Sequence, residues 1–227
     1  MGIRNATLAG VLSLATLIGA VAVADDWVDL FNGKDLEGWE QKGGAALYRV
    51  EDGVLVGQSV PDTPNSFLCT TKSYGDFVLE FEFMGHPELN SGAQIRSESR
   101  PDYLDGRVHG YQVELEQETR DRYWSGGIYD EGRRGWIYPS KDEANEAQRV
   151  AFGAQGKSNW KMGDWNHVKV KAKGDSIKTW VNGELRADLK DNMTAGGFIA
   201  LQVHGVGGNK EPMTVKWRNI RLKELPE

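Results

Sequence analysis

Apolar and polar residues alternate along many short segments of the chain, as they do in β-strands that bury one face. Turn-forming pairs such as Asp52-Gly53 and Asn182-Gly183 separate several of these segments, because both residues of each pair accept the φ angles of a tight hairpin. The predicted strands are residues 48–50, 54–56, 77–83, 93–97, 110–117, 168–173, 177–181, 184–189, 198–204 and 215–222. This pattern predicts an all-β protein.

One segment has the pattern of a helix. Ser140 stands where an N-cap belongs, Glu143 follows three residues later, and the helix is predicted over residues 141–152, inside an insertion spanning 130–163. Many short strands with Gly-rich turns and one short helix predict a two-sheet antiparallel jelly-roll sandwich. In such a fold the outer face of a sheet can curve into a groove.

The first 24 residues have the pattern of a secretory signal peptide. Arg4 precedes an apolar run over residues 6–22, and Ala22-Val23-Ala24 is an A-x-A cleavage site before Asp25. A membrane-anchoring helix is the alternative, since the run is nearly long enough to cross a bilayer. The cleavage site and the acidic start that follows favour removal. We therefore expect residues 25–227 to form one domain located in the periplasm or outside the cell.

Composition and charge narrow the set of partners. The formal net charge is −6, and it becomes −7 when Arg4 is removed with the leader. This acidic balance argues against nucleic acid and, after cleavage, against a membrane as partner.

The one Cys, Cys69, is far from the cleavage site, which argues against a lipoprotein, and it has no second Cys to pair with. No motif indicates a cofactor; a divalent metal is compatible with the sequence, but no ligand set identifies one.

Three predicted strands have unusual polar faces. The Lys169, Lys171 and Lys173 face of one strand is typical of a solvated surface. By contrast, residues 93–97, 110–117 and 199–204 set Gln, Glu, Arg or His opposite their apolar faces. These polar residues are Gln94, Arg96, Gln112, Glu114, Glu116, Gln202 and His204. Such planar groups suit the recognition of sugar hydroxyls or of a carbonyl. The alternative is that they form buried, mutually satisfied pairs, such as Arg96 with Glu114.

Aromatic and arginine residues cluster between the second and third of these strands. Trp and Tyr faces stack on sugar rings, so a segment rich in both can wall a carbohydrate groove. The cluster consists of Tyr123, Trp124, Tyr129, Arg133, Arg134, Trp136 and Tyr138.

Several short motifs follow one another in the order of a known family. They are the segment 29–36 with Gly38-Trp39, Asn90-Ser91-Gly92 with Arg96, GYQVELEQ at 110–117, the segment 125–129, Trp165-Asn166, Val181-Asn182-Gly183, the segment 201–204 and Arg218-Asn219-Ile220. With these motifs the chain resembles the 3-keto-disaccharide hydrolase family over residues 27–224. The resemblance implies a concanavalin A-like jelly roll that cleaves glycosides oxidised to a ketone at C3 of the sugar.

The resemblance also implies a mechanism. A 3-keto group acidifies the proton at C2, so a base can remove it, the group at C1 can leave, and water can add back. Glu114 is expected to be the base, Arg96 the partner of the enolate oxygen, and His204 a second acid/base or a metal ligand. The residues expected to bind or position the sugar are Asn90, Gln94, Gln112, Glu116, Tyr129, Arg134, Gln202 and His109.

One departure from the family leaves an assignment open. The family often has Glu-x-Gln along the strand where this chain has Gln112-Val113-Glu114, so either position can carry the family's carboxylate role. Two other functions also stay open. Glu114 and Glu116 lie at alternate positions, as the acids of laminarinase-like retaining glycosidases do, although Gln112 replaces an outer acid. A non-catalytic, lectin-like carbohydrate-binding module would use the same groove.

Overall fold

The computed structural model describes residues 1–2, 26–116, 121–208 and 210–226. The leader peptide from residue 3 onward, its cleavage site, and Gln117 at the end of the predicted strand lie outside these residues. Cleavage and localisation therefore stay predictions. Over the described ranges, no helix combines the length and apolar character that crossing a membrane requires.

Strands dominate the described residues, as the alternating pattern predicts. The strands are β1 Val28–Asp29, β2 Trp39–Gly43, β3 Leu47–Glu51, β4 Val54–Gln58, β5 Ser66–Tyr74, β6 Phe77–Met84, β7 Asn90–Glu98, β8 His109–Glu116, β9 Ile128–Glu131, β10 Gly135–Tyr138, β11 Asn166–Lys173, β12 Ser176–Val181, β13 Glu184–Lys190, β14 Gly197–Val203 and β15 Thr214–Glu224. The α-helix is α1, Glu146–Asn159.

The strands form two antiparallel sheets, which confirms the predicted sandwich. Sheet I has the order β13-β12-β11-β6-β15-β4-β3, with β1 paired to β15. Sheet II has the order β10-β9-β8-β7-β14-β5-β2. The strands β8, β7 and β14, which carry the unusual polar faces, are adjacent at the centre of sheet II. Residues far apart in the sequence are therefore brought onto one surface.

The apolar faces of the two sheets meet in one core. Tyr111, Val113 and Leu115 of β8 are buried in it, together with Trp217 of sheet I. Fully burying a side chain such as Leu115 contributes about 1.5–3 kcal/mol. This burial sets the orientation of β8, because a one-residue shift in its pairing register would turn these apolar side chains to the outer face of the sheet. The alternate residues of β8 consequently point away from the core.

The helix differs from the prediction at both ends. It covers Glu146–Asn159 and follows a single 3-10 turn at Glu143–Asn145. Ser140 does not cap it, because its Oγ accepts a hydrogen bond from the backbone N–H of Asp142 at 3.2 Å and donates to that residue's carboxylate at 2.9 Å. Ser140 therefore forms a local turn ahead of the helix.

The strand β5, Ser66–Tyr74, was not predicted. Its first five residues are all buried, because the inner side faces the core and the outer side carries a second apolar cluster. Phe67 and Cys69 belong to that cluster, with Phe198 and Ala200 of β14. A strand buried on both faces lacks the alternation that marks a half-exposed strand.

Candidate functional site

A polar pocket of about 330 Å³ lies on the outer face of sheet II. Its walls come from the central strands and from the loops that flank them. The lining residues are Asn65, Asn90, Arg107, Gln112, Glu114, Arg122, Tyr129, Glu131, Trp136, Lys141, Gln202 and His204. Among them are six of the residues expected from the sequence: Glu114, His204, Asn90, Gln112, Tyr129 and Gln202.

The register of sheet II places the floor residues in rows across the strands. Gln202 of β14 pairs with Gly92 of β7, and Gly92 pairs with Glu114 of β8. In the next row, Gln112 pairs with Tyr129 of β9. Paired residues in adjacent strands point to the same face. The sheet therefore holds Gln202 and Glu114 on opposite sides of Gly92.

Gly92 makes room for the side chain of Gln112. A Cβ atom at position 92 would lie 2.5 Å from both Cγ and Cδ of Gln112. With no Cβ there, the Gln112 amide lies across the strand. Its Nε2 donates to the Glu114 carboxylate at 3.0 Å, and its Oε1 accepts from Gln94 at 2.7 Å.

Glu114 is a buried carboxylate on the floor of the pocket, with 3% of the residue exposed. Asn90 donates a hydrogen bond to its Oε1 at 2.5 Å. Burial and, secondly, the charge of Glu116 raise the pKa of Glu114 to about 7; the Asn90 hydrogen bond and the Arg122 charge oppose this shift. A carboxyl group with such a pKa exists in both protonation states near neutral pH, as proton transfer requires.

Arg122 holds the two carboxylates together. Its Nε and Nη2 donate to the two oxygens of Glu116 at 2.5 and 2.8 Å, and Nη2 lies 3.5 Å from Glu114. The guanidinium lies over the rings of Trp124 and Trp136, at 5.1 and 4.9 Å from their centroids. The alternating pattern did not indicate Arg122, because this residue lies outside the strands. Its place near Trp124, six residues after Glu116, was the available signal.

His204 lies just beyond the end of β14 and lines the pocket. Its Nδ1 lies 2.7 Å from the carbonyl oxygen of Gly205. A carbonyl only accepts, so Nδ1 carries the hydrogen in this contact. In the neutral ring, Nε2 is then the acceptor. His204 can therefore take up a proton at Nε2 and, once protonated, donate it.

Arg96 does not reach the pocket, contrary to the prediction. It has φ 47°, and the pairing of β7 with β8 shifts register between Ile95 and Glu98. This irregularity breaks the alternation that had placed Arg96 beside Gln94. The fully buried side chain instead donates to the carbonyl oxygens of Gly75 and Gly174, both at 2.7 Å, and pairs with Asp76 at 2.8 Å. It is therefore not the partner of Glu114 either.

The Arg96→Gln variant is expected to lose stability and to keep the affinity of its folded fraction for substrate. The change leaves two carbonyl oxygens and the Asp76 carboxylate without their donor, which costs about 2–4 kcal/mol. Urea unfolding measures the loss, and KM of the remaining folded protein reports on the pocket. A large rise in KM with unchanged stability would contradict this structural role.

Four other predicted site residues do not line the pocket. Gln94 pairs with Gln112 on the same face of sheet II; it accepts a hydrogen bond from Ser97 at 2.8 Å and donates one to Gln112. Glu116 is bound by Arg122, as described above. Gln94 therefore contacts the lining residue Gln112, and Glu116 contacts the lining residue Arg122.

Arg134 and His109 have partners elsewhere. Arg134 pairs with Asp130 at 2.5 Å and with Asp191 at 2.8 Å. His109 is 3% exposed, and its ring packs 4.1 Å from that of Tyr103. The pattern of strand residues did not reveal these partners, because Asp191 and Tyr103 come from loops.

Loops also supply pocket residues that the alternating pattern does not indicate, namely Asn65, Arg107 and Lys141. Glu131, at the end of β9, is a further one, and it pairs with Arg107 at 2.7 Å. In the part of the chain that the structure describes, no group of three or more His, Cys, Asp and Glu side chains is arranged to hold a metal ion.

The antiparallel sandwich, with a polar, aromatic-walled pocket over one sheet, defines a jelly-roll protein with a site suited to a polar ligand. The sequence profile of the 3-keto-alpha-glucoside-1,2-lyase-like domain matches residues 26–223. The chain belongs to this family, which confirms the resemblance found from the motifs. No curated protein matches the chain.

Solved structures with the same fold include enzymes and binding modules. A candidate glycosyl hydrolase from Parabacteroides distasonis ATCC 8503 is 20% identical, with TM-score 0.58 and coverage of 89% of this chain and 95% of that one. The carbohydrate-binding module CBM66 from Bacillus subtilis is 17% identical, with TM-score 0.51 and coverage of 82% and 96%. A lichenase from a mouse hindgut metagenome is 14% identical, with TM-score 0.52 and coverage of 88% and 98%. These similarities confirm the concanavalin A-like jelly roll.

Proposed function

We propose that this protein cleaves 3-keto-glycosides by elimination, with Glu114 as the base. The observation that carries the proposal is a buried carboxylate with a pKa of about 7 on the floor of a sugar-sized pocket. Family membership supports a 3-keto sugar as the substrate class. In this proposal Glu114, rather than Gln112, takes the family's carboxylate role: both line the pocket, and the Gln112 amide donates a hydrogen bond to the Glu114 carboxylate.

In the first step, ionised Glu114 removes the proton from C2 of the oxidised sugar. The C2–H electrons form an enolate with the adjacent C3 carbonyl. The enolate then expels the oxygen at C1, so the C1–O bond breaks and a C1=C2 double bond forms next to the restored ketone. The leaving oxygen takes up a proton and departs as an alcohol or sugar. Water adds back across the double bond, with oxygen at C1 and hydrogen at C2.

Two other pocket residues, His204 and Tyr129, supply hydrogen-bond and proton donors for the reaction. His204, beyond β14, stabilises the enolate oxygen when Nε2 carries a proton. Tyr129, on the other side of β8, lines the pocket as a phenol whose pKa is raised by burial and by Glu131. A neutral phenol donates a proton to a leaving oxygen. The rings of Tyr129 and Trp136 lie 5.5 Å apart and form an aromatic wall for the leaving sugar.

The geometry favours this reaction over a retaining glycosidase. Such an enzyme needs two carboxylates on the substrate, one as nucleophile and one as acid/base. Both oxygens of Glu116 accept hydrogen bonds from Arg122, and Glu116 does not line the pocket. Glu131 does line the pocket, but its carboxylate is held in an ion pair with Arg107 at 2.7 Å. Elimination needs only one carboxylate base, which Glu114 supplies. A lectin-like module needs no group whose pKa is shifted to the working pH, so the shift at Glu114 also favours catalysis.

Incubation with 3-keto-trehalose and with trehalose in D₂O tests the proposal. We expect release of sugar from the oxidised substrate alone, with deuterium at C2 of the released 3-keto sugar, because the C2 proton is lost and replaced from solvent. A sample without protein corrects for spontaneous exchange. Cleavage of trehalose itself without C2 exchange would instead support direct displacement. Binding without cleavage of either sugar would support the lectin-like function.

The pH dependence of the reaction is a separate prediction. Glu114 must be ionised to act as base, so kcat/KM is expected to fall about tenfold per pH unit as the pH drops below 7. Removing the neighbouring charge with Glu116→Gln is expected to move this midpoint to lower pH. Initial rates between pH 5 and 9 measure both profiles. An unmoved midpoint in the variant would contradict the assignment of the titration to Glu114.

A further inference from the structure

The side-chain amide of Gln202 is buried in the floor of the pocket. It is 0% exposed, and neither its Nε2 nor its Oε1 has a hydrogen-bond partner among the described residues. Buried amides without hydrogen bonds are costly and uncommon. The side chain lines the pocket, so a bound molecule can supply both missing bonds.

The neighbouring amides show that the fold is able to satisfy such groups. Ser97 donates to Gln94 at 2.8 Å, Gln94 donates to Gln112 at 2.7 Å, and Gln112 donates to Glu114 at 3.0 Å. This chain ends at Glu114 and does not extend to Gln202. Within the described ranges, the floor amide left unpaired therefore lies two strands away from the base, across Gly92.

The position of Gln202 defines how a sugar can lie in the pocket. Two strand spacings separate the backbone of Gln202 from that of Glu114, which is about 10 Å. A sugar ring between them presents one edge to each residue. The carbon that loses its proton faces Glu114, so the atoms that face Gln202 lie farther along the ring.

We infer that Gln202 recognises the oxidised edge of the sugar: Nε2 donates to the C3 carbonyl oxygen, and Oε1 accepts from the C4 hydroxyl. This inference rests on the proposed function. A primary amide carries a donor and an acceptor side by side. A ketone and its neighbouring hydroxyl present an acceptor and a donor side by side, so the two pairs are complementary. The match satisfies both buried atoms of Gln202 at once.

This pose sets the direction of the substrate. With C3 and C4 at Gln202 and C2 at Glu114, C1 and its leaving group point towards Tyr129 and Trp136. The C4 hydroxyl has to be free, because a substituent there would remove the hydrogen that Oε1 accepts. The pocket therefore takes an oxidised sugar unsubstituted at C4, with the second sugar against the aromatic wall.

Binding measured in the Glu114→Gln background tests the inference without turnover. We expect methyl 3-keto-glucoside to bind about 10–100-fold more tightly than its 4-deoxy analogue, because the analogue leaves Oε1 unpaired. In the Gln202→Met, Glu114→Gln double variant the two ligands are expected to bind within about twofold of each other. Isothermal titration calorimetry measures all four affinities.

Unfolding by urea shows whether Gln202 stabilises the fold or serves ligand recognition instead. Gln202→Met removes two unpaired atoms, so its midpoint is expected to equal or exceed that of the wild type. Gln94→Met is the matched comparison: it removes an amide that is bonded at both ends, and its midpoint is expected to fall. A Gln202→Met midpoint as low as that of Gln94→Met would overturn the inference.

The outcomes distinguish this inference from the proposed function. The role of Gln202 is overturned if the double variant still discriminates against the 4-deoxy ligand. It is also overturned if the Glu114→Gln protein shows no measurable binding. Discrimination that depends on Gln202 supports that role even if the wild type fails to cleave the 3-keto substrate. Such a failure would refute the proposed reaction. The pocket would then be a sugar-binding site in which Gln202 recognises the ligand.

Discussion

Replacing Glu114 with Gln is expected to lower the rate of 3-keto-glycoside cleavage by about 10²–10⁴-fold and to leave the fold intact. Gln keeps the shape of the side chain but cannot accept the C2 proton. Initial rates with 3-keto-trehalose at pH 8 measure the loss. Glu80→Gln is the matched control: Glu80 pairs with Arg221 at 2.7 Å on sheet I, outside the pocket, and its replacement is expected to leave the rate unchanged.

The same two variants are expected to change stability in opposite directions. The pKa of Glu114 rises from 4.5 to about 7 on folding, so the folded protein retains a proton that the unfolded chain has lost. The wild type therefore loses stability as the pH rises from 4.5 through 7, and Glu114→Gln avoids this loss. We expect the variant to be more stable by about 1–3 kcal/mol at pH 8, and the gain to vanish below pH 4.5.

Glu80 has the reverse dependence. Burial acts to raise its pKa, but the hydrogen bond and charge of Arg221 outweigh burial and the pKa is lowered. Its ionised form therefore stabilises the fold at neutral pH, and this contribution is lost as the pH falls through the lowered pKa. Urea unfolding at pH 4 and pH 8 compares the variants. Destabilisation by Glu114→Gln at pH 8 would contradict the raised pKa.

Replacing Arg122 with Met is expected to lower the free energy of unfolding by about 3–5 kcal/mol at pH 8. The change leaves the carboxylates of Glu114 and Glu116, which are 3% and 4% exposed, without the cation between them. The loss should be smaller at pH 5, where a carboxyl group can bind a proton instead. Urea unfolding at both pH values measures the effect.

A second substitution distinguishes charge from packing at Arg122. Glu116→Gln in the Arg122→Met background removes the repulsion between the carboxylates, so most of the lost stability is expected to return. Arg49→Met is the control, because Arg49 forms an exposed ion pair with Glu51 at 2.6 Å, and its loss is expected to cost about 0–1 kcal/mol. No recovery in the double variant would show that the packing of Arg122 against Trp124 and Trp136 dominates its contribution.

The sequence predicted the floor of the pocket better than its walls. Alternation along β8 and β14 placed Gln112, Glu114 and Gln202 opposite the core, and the structure brings them onto one face. The same rule failed for Arg96, because an irregularity with positive φ interrupts β7. A local pattern assumes a regular strand and cannot show where register shifts. It also cannot find Arg122 or Asn65, since loop residues reach the pocket through tertiary contacts.

By itself the sequence determined the all-β class, the two-sheet sandwich and the outward face of Glu114, because these follow from alternation and from the need to bury Val113 and Leu115. Only the tertiary structure decided which polar residues meet. It gave Glu114 a pKa of about 7, through burial and the charge of Glu116. Among the residues that the structure describes, it also left the Gln202 side chain without a hydrogen-bond partner while satisfying that of Gln94. Both outcomes depend on distances between strands remote in the chain, which set solvation, charge interactions and hydrogen bonding.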